Sequence, residues 1–260
     1  MNKTKIFYKK MKFNKPVMIV GLPGIGNVGS MVCEHIKNEI GAKKFATLYS
    51  PHFPHQAIML KNGMLRLVNN RFYYAKNAVK HGKEKHDLII LLGDIQAMTP
   101  EGQYDINEKI VRFFKHLGGH EIYTIAGYNS AKGKAENQKV FGLTTDKKMI
   151  ETLKRHGIIF GEAQGTIFGA SGLIVAFGKK HMIPSACIMG ETEMLDVDAD
   201  AAKRVLEVLQ GVLGISISME NIDHLIKATR KMMRDIEEMV KESEGGAMPA
   251  PNPENFTYIR

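Results

Sequence analysis

The apolar run Pro16 to Val20 gives way to the turn Gly21-Leu22-Pro23-Gly24-Ile25-Gly26-Asn27-Val28-Gly29, and a helical stretch follows from about Ser30 to Ile40. This order reads as strand, tight turn, helix. A second strand, Lys44 to Ser50, runs into Pro51-His52-Phe53-Pro54-His55 rather than into a helix. Beyond it, the apolar stretches Ala57 to Leu60 and Met64 to Asn69 flank Lys61-Asn62-Gly63, and an Asn-Gly pair between apolar runs predicts an inserted β-hairpin. The continuous run Leu88 to Leu92 reads as a buried parallel strand, and Ile106, Ile110, Phe113, Phe114 and Leu117 form the inward face of the next helix. Strands at Glu121 to Ala126, Val140 to Thr144 and Ser185 to Met189 alternate with helices at Lys147 to His156, Ala170 to Phe177 and about Asp198 to Leu213. Such alternation predicts an α/β fold: three layers, with a mostly parallel mixed sheet covered by helices on both faces.

From Met219 to Glu242 the residues Ile222, Leu225, Ile226, Met232, Met233, Ile236, Met239 and Val240 recur at three-and-four spacing, which predicts an amphipathic last helix. Residues 244–260 contain two glycines and three prolines before Phe256-Thr257-Tyr258-Ile259-Arg260, too few apolar groups to hold a fold, and are expected to be extended and mobile. Some twelve residues of such a tail, at roughly 3 Å each, carry its aromatic end on the order of 35 Å from the body. The expected organisation is a basic N-terminal arm or edge element (1–15), an α/β core (15–217), the amphipathic helix (218–243) and the tail (244–260).

No apolar run approaches the eighteen or so residues of a spanning helix, and the lysine-rich start is not followed by a signal-peptide core, so the expected location is the cytoplasm, with no membrane partner. The formal charge of +9 invites nucleic acid as a partner, but Lys3, Lys5, Lys9, Lys10, Lys12 and Lys15 account for two-thirds of it. A basic arm on a nearly neutral body is a weak nucleic-acid signal, because duplex binding asks for a basic face on the folded domain. Cys33 and Cys187 sit in apolar surroundings and have no metal-ligand spacing, so they read as buried thiols.

Gly24-x-Gly26-x-x-Gly29 has the dinucleotide spacing, in which backbone N–H groups and a helix N-terminus cradle a pyrophosphate. The ribose-binding acid expected at the end of the second strand is replaced by Tyr49-Ser50, so the glycines read better as the means by which the first helix packs close to the sheet. Glu191 and Glu193 follow a strand end, where α/β folds place ligand groups, and with Gly21, Gly24, Gly26, Asn27 and Gly29 they are the candidate small-molecule site of an enzyme alternative. Asp196, Asp198, Asp200 and Glu207 have calcium-loop spacing, but Ala201 occupies the position that needs glycine, so the acids read as helix caps. His52 and His55 have no third ligand at zinc spacing, and Ser171 lacks the preceding Gly-x of a nucleophile elbow. The residues therefore give no catalytic or metal set, and no cofactor is expected.

Three segments, Gly21 to Gly29, Gly190-Glu191-Thr192 and the Asp-Ala-Ala-Lys helix beginning near Asp200, resemble the archaeal branch of the proteasome assembly chaperone family over roughly residues 15 to 240. The resemblance implies a nucleoside phosphorylase/hydrolase-like architecture without its catalytic residues, homo-oligomers, and non-enzymatic binding to proteasome α-subunits. It also implies docking through a C-terminal tail that ends hydrophobic-Tyr-any, which points to Phe256, Tyr258, Ile259 and Arg260 as the partner-binding residues. Here the last three residues are Tyr258-Ile259-Arg260, so the tyrosine stands one place earlier than in that pattern.

Overall fold

The computed structural model describes residues 3–60, 62–129, 139–162, 165–192, 197–219 and Ile222; Glu193, the predicted last helix beyond Ile222 and the aromatic tail lie outside them. The strands are β1 (Lys5–Tyr8), β2 (Val17–Gly21), β3 (Lys43–Tyr49), β4 (Ala57–Met59), β5 (Leu65–Leu67), β6 (Asn70–His81), β7 (Glu84–Gly93), β8 (Glu121–Tyr128), β9 (Val140–Thr144) and β10 (Ser185–Glu191). The helices are α1 (Val28–Glu39), α2 (Pro100–His116), α3 (Lys147–Lys154), α4 (Ala170–Lys180) and α5 (Ala199–Leu213).

Eight strands form one sheet in the order β1-β3-β6-β7-β2-β8-β10-β9. Its centre, β7-β2-β8-β10, is parallel, and antiparallel strands extend it on both sides. Strand periodicity sorts the core into two layers. Val17, Ile19, Leu88 and Ile90 face one side with Val32 and Ile36 of α1 and Val205 and Leu209 of α5. Met18, Val20, Ile89 and Leu91 face the other with Ile106, Ile110 and Phe114 of α2 and Ile174 of α4. Strands buried on both faces have to be continuously apolar, which is what the runs Val17–Gly21 and Leu88–Leu92 display.

Local chemistry sets the helix starts. The Thr99 hydroxyl accepts the Gly102 N–H at 3.1 Å ahead of Pro100 in the first turn of α2, and Asp198 accepts from Asp200 and Ala201 at 3.1 and 3.0 Å to cap α5. The predicted inserted hairpin is present: β4 and β5 pair antiparallel, and Gly63 takes the turn at φ +77°. It leaves the carboxyl end of β3 and is tied to the end of β7, where both terminal guanidinium nitrogens of Arg66 bind Asp94 at 2.5 and 2.9 Å. Asp94 also accepts from Arg71 at 2.8 Å and from the Asn69 N–H at 3.0 Å, so three segments meet on one carboxylate.

Candidate functional site

The three segments that carry the sequence resemblance meet at the carboxyl edge of the parallel strands. Gly21 ends β2, and a Cβ there would lie 2.1 Å from the Gly29 carbonyl oxygen and 2.6 Å from Cβ of Cys33. A Cβ on Gly29 would lie 2.3 Å from the Ile125 carbonyl oxygen of β8. The glycines thus let α1 rest directly on the backbones of β2 and β8, as the packing reading of the motif anticipates. Gly26 adopts φ +60° and Asn27 φ +50°, the left-handed conformation in which glycine and asparagine are tolerated best.

The turn is closed by residues from the far end of the chain. The space a Gly26 side chain would need holds the Thr192 hydroxyl at 2.8 Å and Cβ of Asp198 at 3.4 Å. Asp198 donates its N–H to the Gly26 carbonyl at 3.0 Å, accepts from the Thr192 hydroxyl at 2.8 Å and caps α5 with its other oxygen. Thr192 in turn donates its N–H to the Tyr128 carbonyl at 2.9 Å. A dinucleotide cradle asks for an electropositive turn open to solvent; here the Thr192 hydroxyl and Cβ of Asp198 are packed against its middle glycine. Nor does β3 lie beside β2, since β6 and β7 separate them, so the ribose position of the nucleotide pattern does not exist.

Glu191 is buried at the end of β10 and accepts the Lys139 N–H at 3.1 Å, while its own N–H donates to the Lys139 carbonyl at 2.8 Å. It therefore holds the entry to β9. Beside the turn, between α1 and α4, a crevice of about 250 Å³ is lined by Ile25, Gln96, Gly127, Tyr128, Phe168 and Ser171 among others. Gln96 spans it: its amide donates to the Pro23 carbonyl at 2.7 Å and accepts the Ala170 N–H at 2.9 Å. Gln96 went unnoticed in the sequence, since no spacing marks a glutamine that joins a turn to a helix start 74 residues later.

Other reactive side chains are quiet. Burial pushes the Cys33 thiol far up, and burial raises Cys187 to about 11 against the opposing Thr124 bond, so neither is a thiolate near neutral pH. Among the described residues no three His, Cys, Asp or Glu side chains converge as a metal would require. A larger cavity of about 700 Å³ lies at the opposite edge, lined by His81, Glu121, Tyr123, Arg155 and His156 among others; Tyr123 donates to Glu121 at 2.8 Å, and burial above all holds His81 low.

What the carboxyl edge does expose is apolar. Ile25 beside the turn, Met59, Met64, Leu65 and Leu67 of the hairpin, Met98 after β7 and Phe168 before α4 all face solvent, with Phe168 at 89% and Met59 at 83% exposure. In the hairpin the exposed residues are cross-strand neighbours, Ala57 with Leu67 and Met59 with Leu65, while Ile58 and Arg66 turn inward. Among the described residues no helix is long and apolar enough to cross a membrane.

Comparison with known proteins agrees with this geometry. An uncharacterized protein of Methanocaldococcus jannaschii is 35% identical over 98% of both chains. The crystal structure of Pyrococcus furiosus PbaB, an archaeal proteasome activator, is 36% identical and superimposes with a TM-score of 0.80 over 91% of this chain and 100% of that one. Pyrococcus furiosus PbaA, an archaeal homolog of proteasome-assembly chaperone, shares the fold at 22% identity, with a TM-score of 0.73 over 94% and 95% of the two chains. Residues 18–240 match the PAC2 family, a span that takes in the glycine turn, the Gly190-Glu191-Thr192 strand end and the Asp198 cap that locks them together; the chain belongs to the PAC2 family.

Proposed function

We propose that this chain is a non-enzymatic proteasome-binding adaptor or assembly chaperone that engages α-subunits as a homo-oligomer in the cytoplasm. The observation that carries the reading is the kinship at 36% identity with PbaB over the whole of that chain, a protein described as a proteasome activator. Two features of the molecule support it. The glycine turn is occupied by Thr192 and Asp198 rather than open to a phosphate, and the carboxyl edge displays the apolar side chains by which proteins hold other proteins. The nucleoside phosphorylase-like architecture belongs to the same reading.

The docking element in this proposal is the aromatic tail, with Phe256, Tyr258, Ile259 and Arg260 as contact residues. Several tails on one oligomer convert later docking events into intramolecular ones and raise avidity without new contacts. Purified full-length protein should retain archaeal proteasome α-rings on a column. Nucleotides and nucleosides should leave its melting temperature unchanged, whereas a true ligand at a hundred times its Kd would add about 2.7 kcal/mol of stability. A clear shift with any nucleotide, together with no retention of α-rings, would return the glycine turn and Glu191 to consideration as a small-molecule site.

A further inference from the structure

The sheet ends on β1, which pairs only with β3 among the described residues and leaves its other edge open. The register sets what that edge presents. Lys9 donates its N–H to Phe45, and the ladder continues through Phe7 opposite Thr47 and Lys5 opposite Tyr49. Hydrogen-bonded pairs alternate along an antiparallel ladder, so the N–H and C=O groups of Ile6 and Tyr8 point outward.

Side chains around this edge divide into two kinds. Lys5, Lys9, Lys10 and Lys12 are exposed and make no ion pair among the described residues, whereas Lys15 pairs with Glu84 at 3.4 Å. Next to the strand a groove of about 470 Å³ is lined by Tyr8, Lys10, Met11, Lys12, Phe13 and the His116–Gly118 corner, with no carboxylate in its walls. Its apolar floor is held in place: Tyr8 packs edge-on against Phe113 at 5.0 Å, and Phe13 lies between Phe45, at 5.2 Å, and the Lys76 ammonium, at 4.6 Å. The acid near the strand's other end, Asp105, is engaged by the Thr4 hydroxyl.

We propose that the β1 edge accepts an extended acidic segment of a partner protein as an added strand. Its alternate carboxylates would meet Lys5 and Lys9, and its intervening apolar side chains would enter the groove over Tyr8, Met11, Phe13 and Leu117. Lysines on an edge strand commonly serve to block pairing. Here they block selectively: a second copy of this chain would bring lysine against lysine, which like charges directly opposite disfavour, while an acidic strand would be admitted. Outward N–H and C=O groups match the repeat of a polypeptide backbone, roughly 3.3 Å per residue, and have no counterpart in a phosphodiester chain.

The probe is a fluorescein-labelled peptide of alternating Glu and Val, read by anisotropy against the full-length protein. Binding should weaken with salt, and the Lys5→Glu/Lys9→Glu double variant should lose about tenfold or more in affinity. Both positions are exposed, and an unchanged circular dichroism melt checks that the variant is folded. Backbone N-methylation of the peptide residues on one alternate set should abolish binding, and methylation of the other set should leave it nearly intact. No binding, equal binding by both methylated peptides, or equally tight competition by duplex DNA would overturn the proposal, the last two because they reduce the surface to a featureless polycation.

Discussion

Gly29→Ala is expected to lower the free energy of unfolding by about 3 kcal/mol, the upper end of what overpacking does, read from the urea midpoint at unchanged slope. Alanine gains up to about 1 kcal/mol of helix propensity over glycine, so a neutral or stabilised variant is what local preference alone predicts. The added methyl group, however, would sit 2.3 Å from the Ile125 carbonyl oxygen and 3.1 Å from its carbon. Both are backbone atoms of a central strand, so no rotamer change relieves the clash; α1 has to lift off β2 and β8. Gly24→Ala is the matching control. Its nearest neighbour would be 3.9 Å away and its φ of −171° is extended, so the change should fall within about 0.5 kcal/mol. The pair separates a packing glycine from a permissive one inside the same motif.

Asp94→Ala should destabilise the protein by about 3 kcal/mol, the lower end of the range for removing one member of a buried ion pair. Its side chain is 11% exposed and holds Arg66 and Arg71, exposed by 26% and 27%, so the variant strands two half-buried guanidinium groups and frees the hairpin from β7. The same site predicts a pH dependence. Burial pushes the Asp94 carboxyl up, but the Arg66 bond, the Asn69 N–H and the Arg71 charge together hold it below the ordinary 3.8. A carboxylate more acidic in the folded chain than in the unfolded one stabilises fully above the unfolded value, and that contribution is lost as pH falls below 3.8 toward the folded value. Asp87 acts in the same sense: burial opposes, but Asn14, Lys76 and Asn77 hold it down. Asp94→Asn should therefore flatten the acid limb of the stability curve below about pH 4 while lowering stability at neutral pH; an unaltered acid limb would mean that the carboxylate is not paired in solution.

Much of the architecture could be read from the chain because its signals are local. The runs at β2 and β7, the Asn62-Gly63 turn and the Asp198 cap each state their conformation within a few residues. The long strand β6 was missed. Its burial alternates poorly, its register with β7 shifts between Ala75 and Val79, and Asn77 sits at φ +52°, so no clean period of two survives. β1 was visible only as lysines, because four residues on an edge carry too little apolar pattern to announce a strand. At the candidate site, the glycine spacing announces a tight turn and a close helix, while the partners Gln96, Thr192 and Asp198 could not be placed. Those contacts join residues from 72 to 172 positions apart in this sequence, and composition holds no record of such pairings. Glu191, a strand-end carboxylate singled out as a candidate ligand group, has one oxygen on the Lys139 N–H, a contact 52 positions away that the sequence does not announce.

The proposed role of this PAC2 chain is to hold a proteasome through its aromatic tail. The direct measurement compares retention of proteasome α-rings, and of complete proteasomes, by the full-length protein and by a version ended after Gly246. Full-length protein should retain them, the shortened one should not, and restoring the tail with Phe256, Tyr258 and Ile259 all changed to alanine should fail to rescue. Equal retention by the shortened protein would contradict the tail as the docking element and move the interface to the exposed apolar edge around Met59, Met98 and Phe168; retention by neither form would contradict the proteasome-binding function itself.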